Sequence, residues 1–503
     1  MRFPLIIPPG IDTDDTRFAA KGAWADCDKV RFWRGQPQVI GGWQSMGITL
    51  TGVCRGVLAW ADLNSSINTA YGTHSALQVL RDGILYTITP VGLAAGNIDG
   101  TGGTGYSTGT YSAGDYSEPS AFGALPRTWS LATYGQALIA NPRGGRIYQW
   151  TNNVASPAVA VTNSPLEVSY VLSPPTRQLM ALGCNEEVSG SFNPMAIRFS
   201  DIEDITDWTT SPSNNAGEVI LEGGGSKIIG GRLIGTYVLV WTDTALFLGT
   251  FTGSSAQPWR FDRVGDKCGL IGPNAAVVVG QLAFWLHPNG QFYTYSLGSE
   301  PKMIVTAITV DLASNIAVNQ QDKIYCSATT EFGEVRWDYP DQRDGIENSR
   351  YFSFSILGNG WSRGSMARTA YSDVGPTEYP FGTAYDGTVY LHENGNSADG
   401  SPISWYIESA DQYLGEGEQI TAVNGVWPDF KSQIGAANLE VVLKAYPQAV
   451  ERTKGPYVMP PNKNRKDFRA QGRIIRLKVS GNSSPTFLRF GKLEFDVEGR
   501  GSR

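Results

Sequence analysis

The densest group of side chains able to do acid–base work in this 503-residue chain is Asp201-Ile202-Glu203-Asp204-Ile205-Thr206-Asp207-Trp208. Carboxylates this close could hold the proton donor and the nucleophile or base of a glycoside hydrolase, a reaction that needs two carboxyl groups a fixed distance apart. Sialidase-type propellers carry a Ser-x-Asp-x-Gly-x-x-Trp turn, and Ser200 through Trp208 does not match that spacing. Aspartates in a turn also cap backbone amides, and that structural role is the expectation for the cluster. Asp12, Asp14 and Asp15 lack the further Asp or Asn, the Gly and the late Glu of a calcium loop and read as a solvated arm. His74, His287 and His392 lie far apart, without the His or Cys partners of a zinc site or a nucleophile–base pair. Glu222-Gly223-Gly224-Gly225-Ser226 is followed by no helical pattern, so it predicts a turn and not a phosphate cradle. No catalytic, cofactor-binding or metal-ligating residue is expected.

One basic stretch stands out: Lys463, Arg465, Lys466, Arg469, Arg473, Arg476 and Lys478, with Asp467 the acid among them. It could contact the phosphates of a nucleic acid. It could equally be a solvated strand face, or a subunit interface that pairs with the acidic remainder of the chain. Phe468 is the single aromatic interleaved with these cations, fewer than a base-stacking surface uses.

The elements that must position these groups are strands. Gly 59, Trp 14, Tyr 22 and Phe 20 against 17% charged residues describe a turn-rich, aromatic-rich β protein. Five cysteines, odd in number and widely spaced, predict small apolar core residues made in a reducing compartment. The first nine residues are too short in apolar run and too rich in Pro for a secretory leader, and no window reaches the length of a membrane helix. A soluble chain made in a cytoplasm is expected, without membrane insertion. The net charge of −7 argues against tight wrapping of a polyanion.

A turn followed by an apolar-aromatic strand recurs: Gly83-Ile84-Leu85-Tyr86, Gly145-Arg146-Ile147-Tyr148, Thr244-Ala245-Leu246-Phe247, Gly290-Gln291-Phe292-Tyr293, Gly333-Glu334-Val335-Arg336-Trp337 and Gly387-Thr388-Val389-Tyr390. The steps are 62, 99, 46, 43 and 54 residues, and a further unit near Met195–Phe199 would divide the longest. That is roughly the ~40–50-residue period of four-stranded propeller blades. The prediction is an all-β fold, a β-propeller of six or seven blade-like units over residues 51–402. Strands buried on both faces are expected at Tyr237–Trp241, Ala276–Val279 and Leu282–Leu286. Residues 1–50 read as an extended arm that closes the ring or reaches a neighbour, with Lys29–Arg34 alternating as a half-buried strand. Residues 91–125, rich in Gly, Ser, Thr and Tyr, read as an insertion that projects from a blade, mobile or ordered by a partner. Its Tyr106, Tyr111 and Tyr116 are candidate contacts. A short helix is expected at Asp311–Gln320 with Asp311 as N-cap. Residues 403–503 read as a C-terminal β-sandwich.

The chain resembles a known family. Gly10-Ile11-Asp12-Thr13, Lys29-Val30-Arg31-Phe32-Trp33 and Gly41-Gly42-Trp43 look like the opening of the packaged-DNA stabilisation proteins, the tail-nozzle or tail-accessory proteins of short-tailed bacteriophages. Ile197-Arg198-Phe199-Ser200-Asp201 through Asp207-Trp208, with Ala216-Gly217, is similar to a run those proteins carry. So are Cys268-Gly269-Leu270-Ile271-Gly272 followed by Phe284-Trp285-Leu286, and Gly472-Arg473-Ile474-Ile475-Arg476-Leu477-Lys478-Val479 with Phe490-Gly491-Lys492-Leu493. The 91–125 insertion lies outside the resemblance. What it implies is a structural virion protein, not an enzyme. Six copies would form the nozzle below the portal and its tail adaptor, retaining packaged DNA and conducting it during ejection. Tail fibre, spike or needle proteins would be partners at the tip. Assembly would take place in the host cytoplasm. The rival expectations are a propeller glycosidase or depolymerase, and a glycan-binding propeller acting at the host surface.

Overall fold

The computed structural model describes residues 2–20, 22–102, 123–413 and 419–500. Among these the chain is all-β, with seven four-stranded antiparallel sheets and two six-stranded ones. The seven follow one another along the chain, beginning with the strands Cys54–Ala61, Trp129–Tyr134, Val168–Leu172, Ile228–Ile234, Ala276–Val279, Tyr325–Thr329 and Ala370–Ser372. The first strand of each sheet touches the first strand of the next, and Ala370–Ser372 touches Cys54–Ala61, so the contacts run full circle. The first six sheets are each built from one contiguous stretch. The seventh takes its fourth strand, Trp43–Thr49, from the other end of the chain, with Thr49 opposite Thr388 and Trp43 opposite His392.

Buried apolar residues lie between neighbouring sheets. Trp60, Leu77, Val79, Trp129, Leu138 and Trp150 fill the first gap, and Ile139, Val171, Leu179 and Ala181 the second. Three tryptophans tie their gaps shut by reaching back to the preceding sheet. Trp129 donates its indole N–H to Thr73 O at 2.7 Å, Trp259 to Gln178 Oε1 at 3.0 Å, and Trp337 to Ala275 O at 3.1 Å. Burying a large ring while satisfying its one donor suits Trp to this position. Trp129 lies on Gly56 and Gly72, where an added Cβ would sit 2.7 and 2.3 Å from its atoms, so only glycine permits this approach.

The two six-stranded sheets hold residues 403–500 and most of the first forty. One runs Val30–Trp33, Gln36–Val39, Phe487–Gly499, Thr421–Ile434, Lys466–Gly472, with Arg2–Leu5 also on Phe487–Gly499. The other runs Trp24–Asp28, Ile403–Ser409, Ile474–Ser483, Ala437–Lys444, Arg452–Met459, with Gln412–Tyr413 also on Ile474–Ser483. Val423, Val426 and Phe495 of one share an apolar cluster with Ile407, Leu439 and Leu477 of the other.

Three expectations change. Residues 1–50 do close the ring, through Trp43–Thr49, but they do not stand apart as an arm; their strands are shared among three sheets, filling hydrogen-bonding edges left by the last sheet of the circle and by the C-terminal strands. Lys29–Arg34 is not half-buried: Val30, Arg31 and Phe32 are all buried, since the strand Val30–Trp33 also packs on Gly360–Ser365. The helix is Thr309–Asn315, and Asp311 does not cap it. Asp14 does, its Oδ1 accepting from Val310 N at 3.1 Å. Asp311 instead pairs with Arg343 and Arg363, both at 2.9 Å.

Candidate interface surfaces and the ring interior

The carboxylate cluster forms the loop between the strands Phe192–Phe199 and Gly217–Ile220. Asp201 Oδ1 accepts from Ile202 N (2.8 Å) and Asn215 N (2.7 Å). Asp204 Oδ1 accepts from Thr206 N at 2.8 Å, and Asp207 takes Thr209 N at 3.1 Å and the Asn214 amide at 2.9 Å. Glu203 pairs with Arg177 at 2.5 Å, both exposed. Trp208 is buried beneath and donates to Ile205 O at 2.7 Å. The acids thus hold the turn, as aspartates do when they bond nearby backbone amides. Side-chain and backbone hydrogen bonds from Thr206 keep the Asp204 carboxyl below its usual range, the reverse of what a proton donor at neutral pH requires. Asp14 caps a helix, and Asp12 Oδ1 accepts from Asp15 N at 3.1 Å.

The histidines and cysteines are absorbed by packing. His74 Nδ1 accepts from Val53 N at 2.9 Å, and His287 Nδ1 lies 2.6 Å from Asn289 Oδ1. His392 is buried, and its Nε2 accepts from Arg368 Nε at 2.8 Å. Burial, with Arg368 second, holds its pKa well below the ordinary value. All five cysteines are free and buried. Burial pushes the Cys54 and Cys268 thiols up to about 11 and Cys184 to about 12, so they stay protonated.

A cavity of about 660 Å³ lies within the circle of first strands and takes lining residues from all seven sheets, among them Val57, Ala132, Leu172, Val278 and Ala328. Arg232 projects there, but it is pinned: Nε donates to Ala276 O at 3.0 Å and Nη1 to the Tyr170 hydroxyl. Asp373 is bound by Thr330 N at 2.8 Å. Residues 91–102 reach back over the start of the first sheet. Arg55 donates to Ile98 O at 3.2 Å, Asp99 pairs with Lys323 at 2.6 Å, and Gly100 exchanges two hydrogen bonds with the Gln320 side chain. The base of the insertion is therefore held by contacts within its own chain. Tyr106, Tyr111 and Tyr116 lie outside the described residues.

The basic stretch does not form one stripe. Arg476 is buried and meets Glu408 at 2.8 Å, Glu451 at 2.7 Å and Asp411 at 3.4 Å. Its pairing, with Lys444 also 3.1 Å away, holds the Glu451 carboxyl at about 2. Lys478 lies over the Tyr406 ring at 4.6 Å. Arg465 pairs with Asp467 (2.6 Å) and Asp496 (3.1 Å) and stacks on Trp427. Lys463 and Arg469 are exposed, while Lys466 and Arg473 are half-buried. Arg469 faces a groove of about 310 Å³ together with Arg452, Lys454 and Arg500, three cations that lie outside the run legible in the sequence. The alternation Arg452-x-Lys454 on one strand face is the signal that could have found two of them.

No family model and no curated protein matches the chain. Among solved structures it is similar to the computationally designed Ika8 protein, at 15% identity over 69% of this chain and 99% of that one, with a TM-score of 0.38. It is also similar to PorZ, a bacterial surface component of the type-IX secretion system of Porphyromonas gingivalis, at 10% identity over 76% of this chain and 44% of that one, with a TM-score of 0.34.

Proposed function

We propose that the protein is a structural component of a bacteriophage virion, the tail nozzle, with no catalytic site. In this reading the seven four-stranded sheets are the blades of a β-propeller and the two six-stranded sheets pack as a β-sandwich. Six copies form a tube beneath the portal and tail adaptor, holding back the packaged DNA and guiding it out during ejection. The observation that carries the reading is the circle of first-strand contacts, locked by Trp43–Thr49 on the last sheet. A sheet set closed by both chain ends keeps its shape under load, which a conduit for a pressurised genome requires. The cavity of about 660 Å³ within the circle is too small for a DNA duplex, so in this reading the conduit lies among copies and not within one. Chains of net charge −7 would give that conduit an acidic character, along which phosphates slide without adhering. The family resemblance of the sequence supplies the virion context.

Electron microscopy of the purified chain, alone and with its tail adaptor, tests this. Six-fold rings that seat on the adaptor are expected. A chain that remains monomeric and ignores the adaptor would overturn the reading. So would cleavage of host surface glycans that Asp204→Ala or Asp207→Ala abolishes without unfolding the protein.

A further inference from the structure

Charge is unevenly distributed along this chain. Residues 403–503 carry 15 Lys and Arg against 11 Asp and Glu, a net +4, so residues 1–402 carry −11. Within the latter, residues 186–222 hold eight acids and one Arg, a net −7. The two excesses form two surfaces.

The positive one is the groove at the open end of the two six-stranded sheets. Arg452 and Lys454 come from the edge strand Arg452–Met459 of one sheet. Arg469 and Gln471 come from the edge strand Lys466–Gly472 of the other, Asn424 from Thr421–Ile434, and Arg500 from just beyond Phe487–Gly499. Every one of these side chains can donate a hydrogen bond. Among the described residues Arg452, Lys454 and Arg469 make no ion pair, and Arg500 has Glu498 at 3.8 Å. Buried Arg476 and half-buried Lys444, a few residues away, each pair with acids, Glu451 and Asp411. Cations and a proline on an edge strand do discourage edge-to-edge pairing, but that role needs no convergence. Here cations from separate strands face one cavity. Val450 and Val458 stand exposed in and beside the same edge strand.

The negative surface is the outer edge of the third four-stranded sheet. Glu186 is bound by Ser189 (2.7 Å) and Asn193 (2.6 Å), Glu187 by Thr210 N (2.8 Å), and Glu218 by Glu187 N (3.3 Å). All these donors are neutral, and among the described residues none of the three acids makes an ion pair; Arg198 stands across the ladder from Glu218. Burial first, and then Glu186 and Glu187, raise the Glu218 carboxyl, as expected where like charges crowd. Val188, Phe192 and Ile220 are exposed around them, so each surface combines charge with an apolar fringe, as protein interfaces do.

We propose that the groove of Arg452, Lys454, Arg469 and Arg500 receives the Glu186–Glu187–Glu218 edge of a neighbouring copy, so that chains join head to tail. This rests on the reading of the protein as a ring-former and names the contact that makes the ring. Two different surfaces of one chain form a heterologous interface, which closes into a ring when its rotation permits.

Charge reversal tests it. A groove variant, Arg452→Glu with Arg469→Glu, and an edge variant, Glu186→Lys with Glu187→Lys, are compared with the unaltered chain by sedimentation velocity and electron microscopy. Circular dichroism verifies that each is folded. Each variant alone is expected to be monomeric, with association weakened at least about tenfold. Mixed in equal amounts they form rings of alternating copies, because an intact groove meets an intact edge and a reversed groove meets a reversed edge. All four substitutions in one chain restore rings. The neutral Arg452→Gln with Arg469→Gln weakens rings partially and guards against a folding artefact. Rings that persist in both reversed variants sink this contact alone. An unaltered chain that stays monomeric even with its adaptor sinks the ring reading and this contact together. A short oligonucleotide whose binding the groove variant loses, while its assembly is intact, would assign the groove to a phosphate chain and overturn the proposal.

Discussion

The circle of four-stranded sheets and the pair of six-stranded sheets use the same antiparallel pairing but recruit strands over different ranges. The fourth sheet of the circle is complete between Ile228 and Asp266. In the paired sheets Arg2 lies opposite Asp496 and Trp24 opposite Ser409. Local pairings need little loop closure, whereas these need both ends of the chain together. The circle can therefore form sheet by sheet, and the paired sheets complete it by taking up the N-terminal strands, one of whose neighbours, Trp43–Thr49, locks the last sheet. At the seam, buried Arg31 of the paired sheets meets Glu334 at 3.4 Å and Glu393 at 2.5 Å on the circle.

Removing residues 2–40 separates the two regions most harshly. It takes four strands from the paired sheets and leaves the circle all of its own, including Trp43–Thr49. Hydrogen exchange is expected to show protection lost across 403–500 and kept across 54–392, with fraying at Thr309–Asn315, which loses its Asp14 cap. Loss in both regions would show that the circle depends on the paired sheets.

Arg31→Ala acts on the seam alone. It leaves Glu334 and Glu393 without their shared cation, and removing one partner of a buried pair costs about 3–5 kcal/mol. Denaturant titration at pH 7 should show that loss. Burial already raises the Glu334 carboxyl, so the deficit should shrink as pH falls and Glu334 takes up a proton.

His392 reports on the circle's last sheet. Its folded pKa is depressed, so the unfolded chain binds a proton that the folded one refuses once pH drops below the unfolded value of about 6.5. From there downward stability should fall by roughly 1.4 kcal/mol per pH unit more in the intact chain than in His392→Gln, which keeps only the smaller contributions of His74 and His287. An equal pH dependence in the variant would place the titrating group elsewhere.

How legible these regions were follows from the same difference in range. The turn-plus-strand pattern marks true hairpins, but different ones in different sheets. Gly83 turns between third and fourth strands, Gly145, Gly290 and Gly387 between second and third, and Gly333 between first and second. Irregular steps were the result, and the sheet count stayed at six or seven. Met195–Phe199 lies in the third strand of the sheet that the longest step skipped. The pairing of the N-terminal strands escaped because four-residue strands such as Gln36–Val39 carry no local sign of a partner, Phe487–Gly499, at the far end of the chain. Asp311 looked like a cap from its neighbours, while the cap came from Asp14. The basic run looked like a surface because alternation cannot show that Arg476 is sunk among Glu408, Asp411 and Glu451. The groove went unseen because its cations converge only when edge strands of two sheets meet.

The mildest change separates a turn from an active site within the circle. Asp207 holds its loop by accepting from Thr209 N and the Asn214 amide, and Asn214 keeps a second partner in Thr209 O at 2.8 Å. Asp207→Ala thus frees one exposed backbone amide and loosens one side chain, worth about 1 kcal/mol by the usual net value of such bonds. Thermal unfolding should show a drop of a few degrees or less, with hydrogen exchange faster at 205–215 alone and unchanged at 403–500. Ring assembly should be untouched, since the Asp207 carboxylate is spent on Thr209 N and the Asn214 amide and is not one of the contact acids Glu186, Glu187 and Glu218. A change confined to exchange rates would mark these carboxylates as scaffolding. A collapse of any glycan-cleaving activity at unchanged stability would mark the circle as an enzyme and the paired sheets as its accessory.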